Sequence, residues 1–210
     1  MISRRAALLA PLALAAPAAL AQSGTQGGGD PSAPIARLDA ALLQVMHMGQ
    51  ATPFAQRYQA LAPVVQAAFD LPAVLAASVG LGWRSLTPAQ QQSLLAVFTR
   101  YTVASYAANF DSFDGQRLEI LPQQQRQAGQ DVVVATQIAP ASGAPTRLDY
   151  VMRRTPQGWK AVDVLADGSI SRVAVQRSDF RSLLAGGNPD PLIASLTQKV
   201  NTLSGGANLP

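Results

Sequence analysis

The chain has no cysteine, a single histidine and few charges. Without cysteine there is no disulfide, no thiolate metal site, no cysteine nucleophile and no lipobox residue to carry a lipid anchor. His47 stands alone in Val45-Met46-His47-Met48. A lone histidine lacks the partners of a metal site or a triad, and at a helix C-terminus it is favoured by the dipole anyway. Charged residues make up 13% of the chain, against about 25% in ordinary soluble domains. Lysine and arginine number 16, aspartate and glutamate 12. No cluster of cations interleaves with aromatics, so nucleic acid is a poor partner. There is no Gly-x-Ser-x-Gly elbow and no glycine-rich phosphate loop ahead of a helix. The sparse carboxylates sit mostly at predicted turns and caps, where aspartate is expected. Paired-carboxylate catalysis therefore has little to build on.

Apolar residues, by contrast, are plentiful at 48%. They build either an ordinary large core or the lining of a cavity, and composition leaves both open. Their first concentration is N-terminal. Arg4 and Arg5 precede a run of alanine and leucine from Ala6 to Leu20, ending in Ala19-Leu20-Ala21. This is the pattern of a secretory signal peptide cleaved after about Ala21, and the run is short of the roughly 20 residues that span a bilayer. The paired arginines also hint at twin-arginine export. Cleavage would leave 189 of the 210 residues, enough for one domain with a sizeable core. No later segment is long and apolar enough to cross a membrane. Residues 22–33, rich in glycine and serine, read as a flexible tether, residues 34–203 as the folded domain, and residues 204–210 as a loose tail.

Periodicity supplies the architecture. Ile35, Leu38, Leu42, Val45 and Met46 repeat at helical spacing, and Gly49 stops that helix. Thr52-Pro53 reads as an N-cap with proline at the first helical position, and Pro63 should kink or split the helix that follows. Asp70 caps a short helix over Leu71–Val79. Thr87-Pro88-Ala89-Gln90 spells a capping box ahead of a long helix to about Phe110. From Gln116 the period shortens to two. Strands are predicted near Arg117–Leu121, Asp131–Ile138, Arg147–Arg153 and Gly158–Val164, joined by hairpin-length connectors. Two helices close the chain, one bearing Ile170, Val173, Arg177, Phe180 and Leu184, the other starting at Asn188-Pro189-Asp190-Pro191. Helices, four antiparallel strands and helices again make an α+β fold.

Three stretches then resemble a known family. The first is Phe69-Asp70-Leu71 with Val79-Gly80-Leu81-Gly82-Trp83-Arg84-Ser85-Leu86-Thr87-Pro88-Ala89-Gln90, followed by Phe98 and Tyr106. The second is Gly158-Trp159-Lys160-Ala161-Val162-Asp163-Val164 with Asp167-Gly168-Ser169-Ile170-Ser171. The third is Arg177-Ser178-Asp179-Phe180, with Asp190 to Lys199 closing the chain. In order and spacing they are similar to the MlaC/toluene-tolerance family of periplasmic phospholipid-binding proteins. The resemblance implies a sheet and helices around a deep apolar pocket, with no enzyme activity and no cofactor. Its ligand would be a phospholipid, or a hopanoid if the chain sits in the hopanoid-associated branch. It would shuttle between an inner-membrane ABC transporter complex and an outer-membrane lipoprotein complex, as a monomer. On this view Phe69, Val79, Phe98, Tyr101, Val132, Val134, Tyr150, Met152 and Val164 line or border the tail pocket. Trp83 and Trp159 are packing anchors. Arg177 matches the family's "R-S-x-F" arginine and is the headgroup candidate, with a structural salt bridge to Asp163 as its other reading. An enzyme on the same fold would instead bring two titratable side chains together at the pocket floor, and an adaptor whose apolar residues are all core would have no cavity of lipid size and no bound lipid.

Overall fold

Apolar residues at helical spacing fold the N-terminal half into four helices. The computed structural model describes residues 29–122 and 126–209; the expected signal peptide and most of the tether lie outside them. Helix α1 (Ala33–Met48) buries Ile35, Leu38, Leu42, Val45 and Met46 and ends at Gly49, whose φ of 68° suits glycine. Helix α2 (Phe54–Ala68) runs unbroken through Pro63, so the expected split does not occur. Nor does Thr52 cap it. Its hydroxyl donates backward to Met48 O at 2.8 Å, and the helix begins after Pro53. Asp70 does cap α3 (Leu71–Val79), accepting from Ala73 N at 3.1 Å. After a 3-10 segment over Gly80–Ser85, the capping box of Thr87 and Gln90 opens α4 (Pro88–Asn109) with both of its bonds formed. Buried Arg57 donates Nη1 to Ala107 O and clamps α2 to α4.

The sheet has seven strands among the described residues, where four were expected. The β-branched run that reads as one strand breaks at buried Ala135 into β3 (Asp131–Val134) and β4 (Thr136–Ala139). Both pair antiparallel with the long strand β5 (Thr146–Thr155), through Val134↔Tyr150 and Gln137↔Arg147. At the break, Thr136 turns its hydroxyl onto Leu148 O, and Ala135 O accepts from Leu121 N at 2.8 Å. Strand β1 (Arg117–Ile120) flanks β4, and β2 (Arg126–Ala128) flanks β3. Strand β6 (Gly158–Ala166) takes the other edge of β5, with a bulge between Val151 and Met152, and the two-residue β7 (Ile170–Ser171) pairs with β6. The extra strands β2 and β7 are too short, and β2 too polar, to show an alternating pattern.

Helix α5 is shorter than the apolar face suggested. It spans Arg172–Arg181, so Ile170 belongs to β7 and is half exposed, while Leu184 falls in the 3-10 segment Ser182–Gly187. Helix α6 (Asp190–Ser204) buries Leu192, Leu196 and Val200 against α4. The core lies between helices and sheet, with Phe98, Leu94, Leu75, Val134 and Met152 at its centre.

Candidate functional site: an apolar cavity between α4, α5 and the sheet

One side of α4 is not filled by packing. Phe98, Tyr101, Thr102, Ser105, Tyr106 and Asn109 recur at three- and four-residue spacing and face a cavity of about 440 Å³. Phe69 with Leu71 and Val74 of α3 closes one end. Leu148 and Tyr150 of β5 and Val164 and Ala166 of β6 form the sheet wall, and Arg172, Val173 and Gln176 of α5 the opposite one. Burial grades along the cavity. Phe69, Leu71, Val74, Phe98, Tyr150 and Val173 are buried, whereas Asn109 and Arg172 are exposed. The closed end is thus apolar and aromatic, and the mouth carries an amide and a cation. Such a profile suits a ligand with an apolar body and a polar tip.

Asp163, Gln176, Thr102 and Ser105 along the wall are engaged in holding it together. Asp163 accepts from Val164 N at 2.8 Å and Val173 N at 3.1 Å, and from the Ser171 hydroxyl. It therefore pins the start of α5 to β6. Ser171 in turn caps α5 by accepting from Ala174 N at 2.9 Å. Gln176 meets the Ser78 hydroxyl at 2.9 Å, tying α5 to α3. Thr102 and Ser105 donate to the carbonyls of Phe98 and Tyr101 on their own helix. Tyr106 and Tyr150 turn their hydroxyls toward each other, and Phe69 packs on both rings at 5.8 and 6.1 Å. Burial pushes both hydroxyls well above the ordinary tyrosine range, helped by the negative charge of Asp39. Asp39 itself is pushed up to about 6 by burial. Both tyrosines therefore stay protonated and act as hydrogen-bonding groups, not as bases. His47 packs tilted against Phe113, with ring centroids 3.9 Å apart, away from the lining. No group of three metal-ligating side chains occurs among the described residues.

Of the residues expected from sequence, Phe69, Phe98, Tyr101, Tyr150 and Val164 meet on this cavity. Val132, Val134 and Met152 do not reach it and are buried elsewhere in the sheet. Val79 is half-buried at the end of α3, also outside the lining. Arg177 is not at the mouth. Its Nε donates to Ala77 O at 2.9 Å and its chain lies over Gly80, so it fastens α5 to α3. The alternative pairing with Asp163 is not formed either, since Asp163 holds Ser171, Val164 and Val173. The cation at the mouth is Arg172, which sequence reasoning passed over. Trp83 and Trp159 pack half-buried against the core, and the Trp159 Nε1 has no hydrogen-bond partner among the described residues.

An α+β fold enclosing a cavity with an apolar closed end has the architecture of a ligand-binding protein. The sequence profile of the MlaC protein family matches residues 36–198, and the chain belongs to that family. Its fold is similar to that of a phospholipid-binding protein from Ralstonia solanacearum, solved in complex with a phospholipid. The two superpose with a TM-score of 0.71 at 22% identity, over 83% of this chain and 99% of the other.

Proposed function

We propose that this protein is a periplasmic lipid carrier that takes an acyl chain of a phospholipid into the cavity beside α4 and presents the headgroup at the mouth. The observation that carries this reading is the gradient along the cavity, from buried Phe69, Leu71, Val74 and Phe98 to exposed Asn109 and Arg172. Membership of the MlaC family and the phospholipid in the Ralstonia relative support it. The closed end has no charged side chain that a hydrocarbon tail would leave unpaired. Arg172 is placed to meet a phosphate without being buried by it. The work of such a carrier is exchange between an inner-membrane transporter complex and an outer-membrane lipoprotein complex, after export and removal of the leader. It needs no catalytic group and no cofactor.

The test is to purify the mature protein from a bacterial periplasm without detergent, denature it, and identify lipid in the organic extract by mass spectrometry. Phospholipid at a stoichiometric ratio is the expected result, and its headgroup names the cargo. A hopanoid would move the protein to the hopanoid branch. A folded preparation free of lipid, which also takes none from vesicles, would overturn the carrier reading in favour of an adaptor.

A further inference from the structure

Large apolar side chains left on the surface are few. Among the described residues they are Leu81, Phe113, Ile170 and Val175. Leu81 stands between two glycines on the 3-10 segment, and Phe113 lies against His47 with Asp111 and Asp114 to either side in the chain. Ile170 and Val175 differ, because both border Arg172 at the mouth of the cavity.

The chain puts them there for local reasons. Ser171 turns its hydroxyl inward onto Asp163, so Ile170, the other residue of β7, faces the opposite way and is 51% exposed. It pairs with Ala166 of the cavity wall. On α5 the buried residues are Val173 and Phe180. Val175 stands about 160° from Val173, at about 100° per residue, and is 37% exposed. It is three residues from Arg172, so the two side chains are neighbours on the helix surface. An isoleucine and a valine thus flank the cation of the mouth, and neither packs against the core.

Charge says what such a rim meets. Along α5, Arg172, Arg177 and Arg181 outnumber Asp179. In the turn before Ile170, Arg126 and Arg147 crowd Gly168 and are balanced by Asp149 and Asp167. The face is therefore positive overall. Exposed aliphatic side chains beside arginines match the layering of a bilayer surface, where hydrocarbon lies just beneath anionic headgroups. A fluid bilayer also moulds itself to isolated knobs, whereas a protein partner must offer each a preformed, complementary surface.

We propose that the Ile170–Arg172–Val175 rim is a membrane-docking edge, which seats the mouth of the cavity on an anionic lipid surface with the two aliphatic side chains dipping below the headgroups. A lipid tail then crosses between bilayer and cavity along hydrocarbon and not through water. The proposal rests on the carrier reading and adds the surface that the carrier touches.

The experiment floats the mature protein with phosphatidylcholine vesicles made with and without phosphatidylglycerol, with no partner complex present. It compares the wild type, the double variant Ile170→Ser/Val175→Ser, and Leu81→Ser as an apolar loss elsewhere on the surface. Each is checked for a cooperative thermal transition and for co-purified lipid. The wild type is expected to bind the anionic vesicles, less as salt rises. The double variant should bind about tenfold more weakly, from the loss of two part-exposed aliphatic side chains, while carrying the same lipid load. Leu81→Ser should match the wild type. A wild type that stays off both vesicles would overturn the docking edge and leave the rim to a protein partner, and lipid found in that same preparation would keep the carrier reading. Binding unchanged in the double variant, or weakened as much by Leu81→Ser, would also overturn the edge. Rim-dependent binding by a protein that carries no lipid would support the membrane contact and overturn the carrier reading.

Discussion

Arg147 grips Asp149 with two nitrogens, Nε at 2.9 Å and Nη2 at 3.3 Å, and the carboxylate they hold has no solvent exposure. Arg126 of β2 adds Nη1 at 3.2 Å and reaches Gly168 O with Nη2 at 3.4 Å. One buried carboxylate thereby joins β5, β2 and the turn between β6 and β7. Removing Arg147 leaves the buried carboxylate with the single contact from Arg126, and a buried charge short of partners is costly. Arg147→Met is therefore expected to lower stability by about 2–4 kcal/mol in urea titrations. Arg126→Met, whose side chain is half exposed, should cost under about 1 kcal/mol. Equal losses would mean that the two arginines share the carboxylate evenly.

Asp39 makes stability depend on pH in the opposite sense to a salt-bridged carboxylate. Burial raises it to about 6 from an ordinary value near 3.8, so the folded state favours its proton. Its favourable contribution is complete below the unfolded value and is lost as pH rises through about 6. Asp39→Asn should then be more stable than the wild type at pH 7.5 by about 1–2 kcal/mol, allowing for partial contact with water. At pH 4 the two proteins should melt together. A difference that stays constant across this range would contradict the burial of a charged Asp39.

Ser105 offers a way to fill the cavity without disturbing the core. It is half-buried on the lining and its hydroxyl is bonded to its own helix. In Ser105→Trp the indole enters open space, so bound lipid should fall below about a fifth of the wild-type ratio, while the thermal midpoint moves by only a few degrees. The same enlargement at Val134, which is fully buried outside the lining, overpacks the core and should cost about 1–3 kcal/mol or more. Lipid retained at the wild-type ratio in Ser105→Trp would place the cargo elsewhere.

The two arginines of α5 should separate by function. Arg172→Glu is expected to cut uptake from anionic vesicles several-fold, with the deficit shrinking at high salt as screening grows. Arg177→Glu should leave uptake alone and lose the bond to Ala77 O, about 1 kcal/mol of stability. If both reversals impair uptake equally, the headgroup contact is not confined to the mouth at Arg172.

Those two arginines also show where sequence reading stops. Residues 172 and 176 share a helix face, while 172 and 177 stand about 140° apart at 100° per residue. Motif order points to Arg177, but which face of α5 turns to the cavity is decided by Asp163 and Ser78 gripping it from β6 and α3. Local signals were legible: the Asp70 cap and the Thr87–Gln90 box depend only on neighbours in the chain. The α4 side of the cavity was partly legible too, because Phe98 and Tyr101 continue through Ser105 and Tyr106 to Asn109 along one stripe. The break at Ala135 was not. Nothing in a run of valines, alanine and threonine marks the point where a strand changes neighbours along β5. For the same reason Val132 and Val134 share the composition of a cavity wall and serve as core.

The size of the cavity has an energetic consequence. Each methylene withdrawn from water costs about 0.8 kcal/mol to return. A tail with even about six methylenes held in the cavity would forgo about 5 kcal/mol on escaping into solvent, which disfavours spontaneous release by more than about three orders of magnitude. On the carrier reading, a lipid held this way would not leak between membranes. It would leave only where an acceptor offers hydrocarbon at the rim marked by Asn109 and Arg172, so delivery would be governed by docking and not by dissociation.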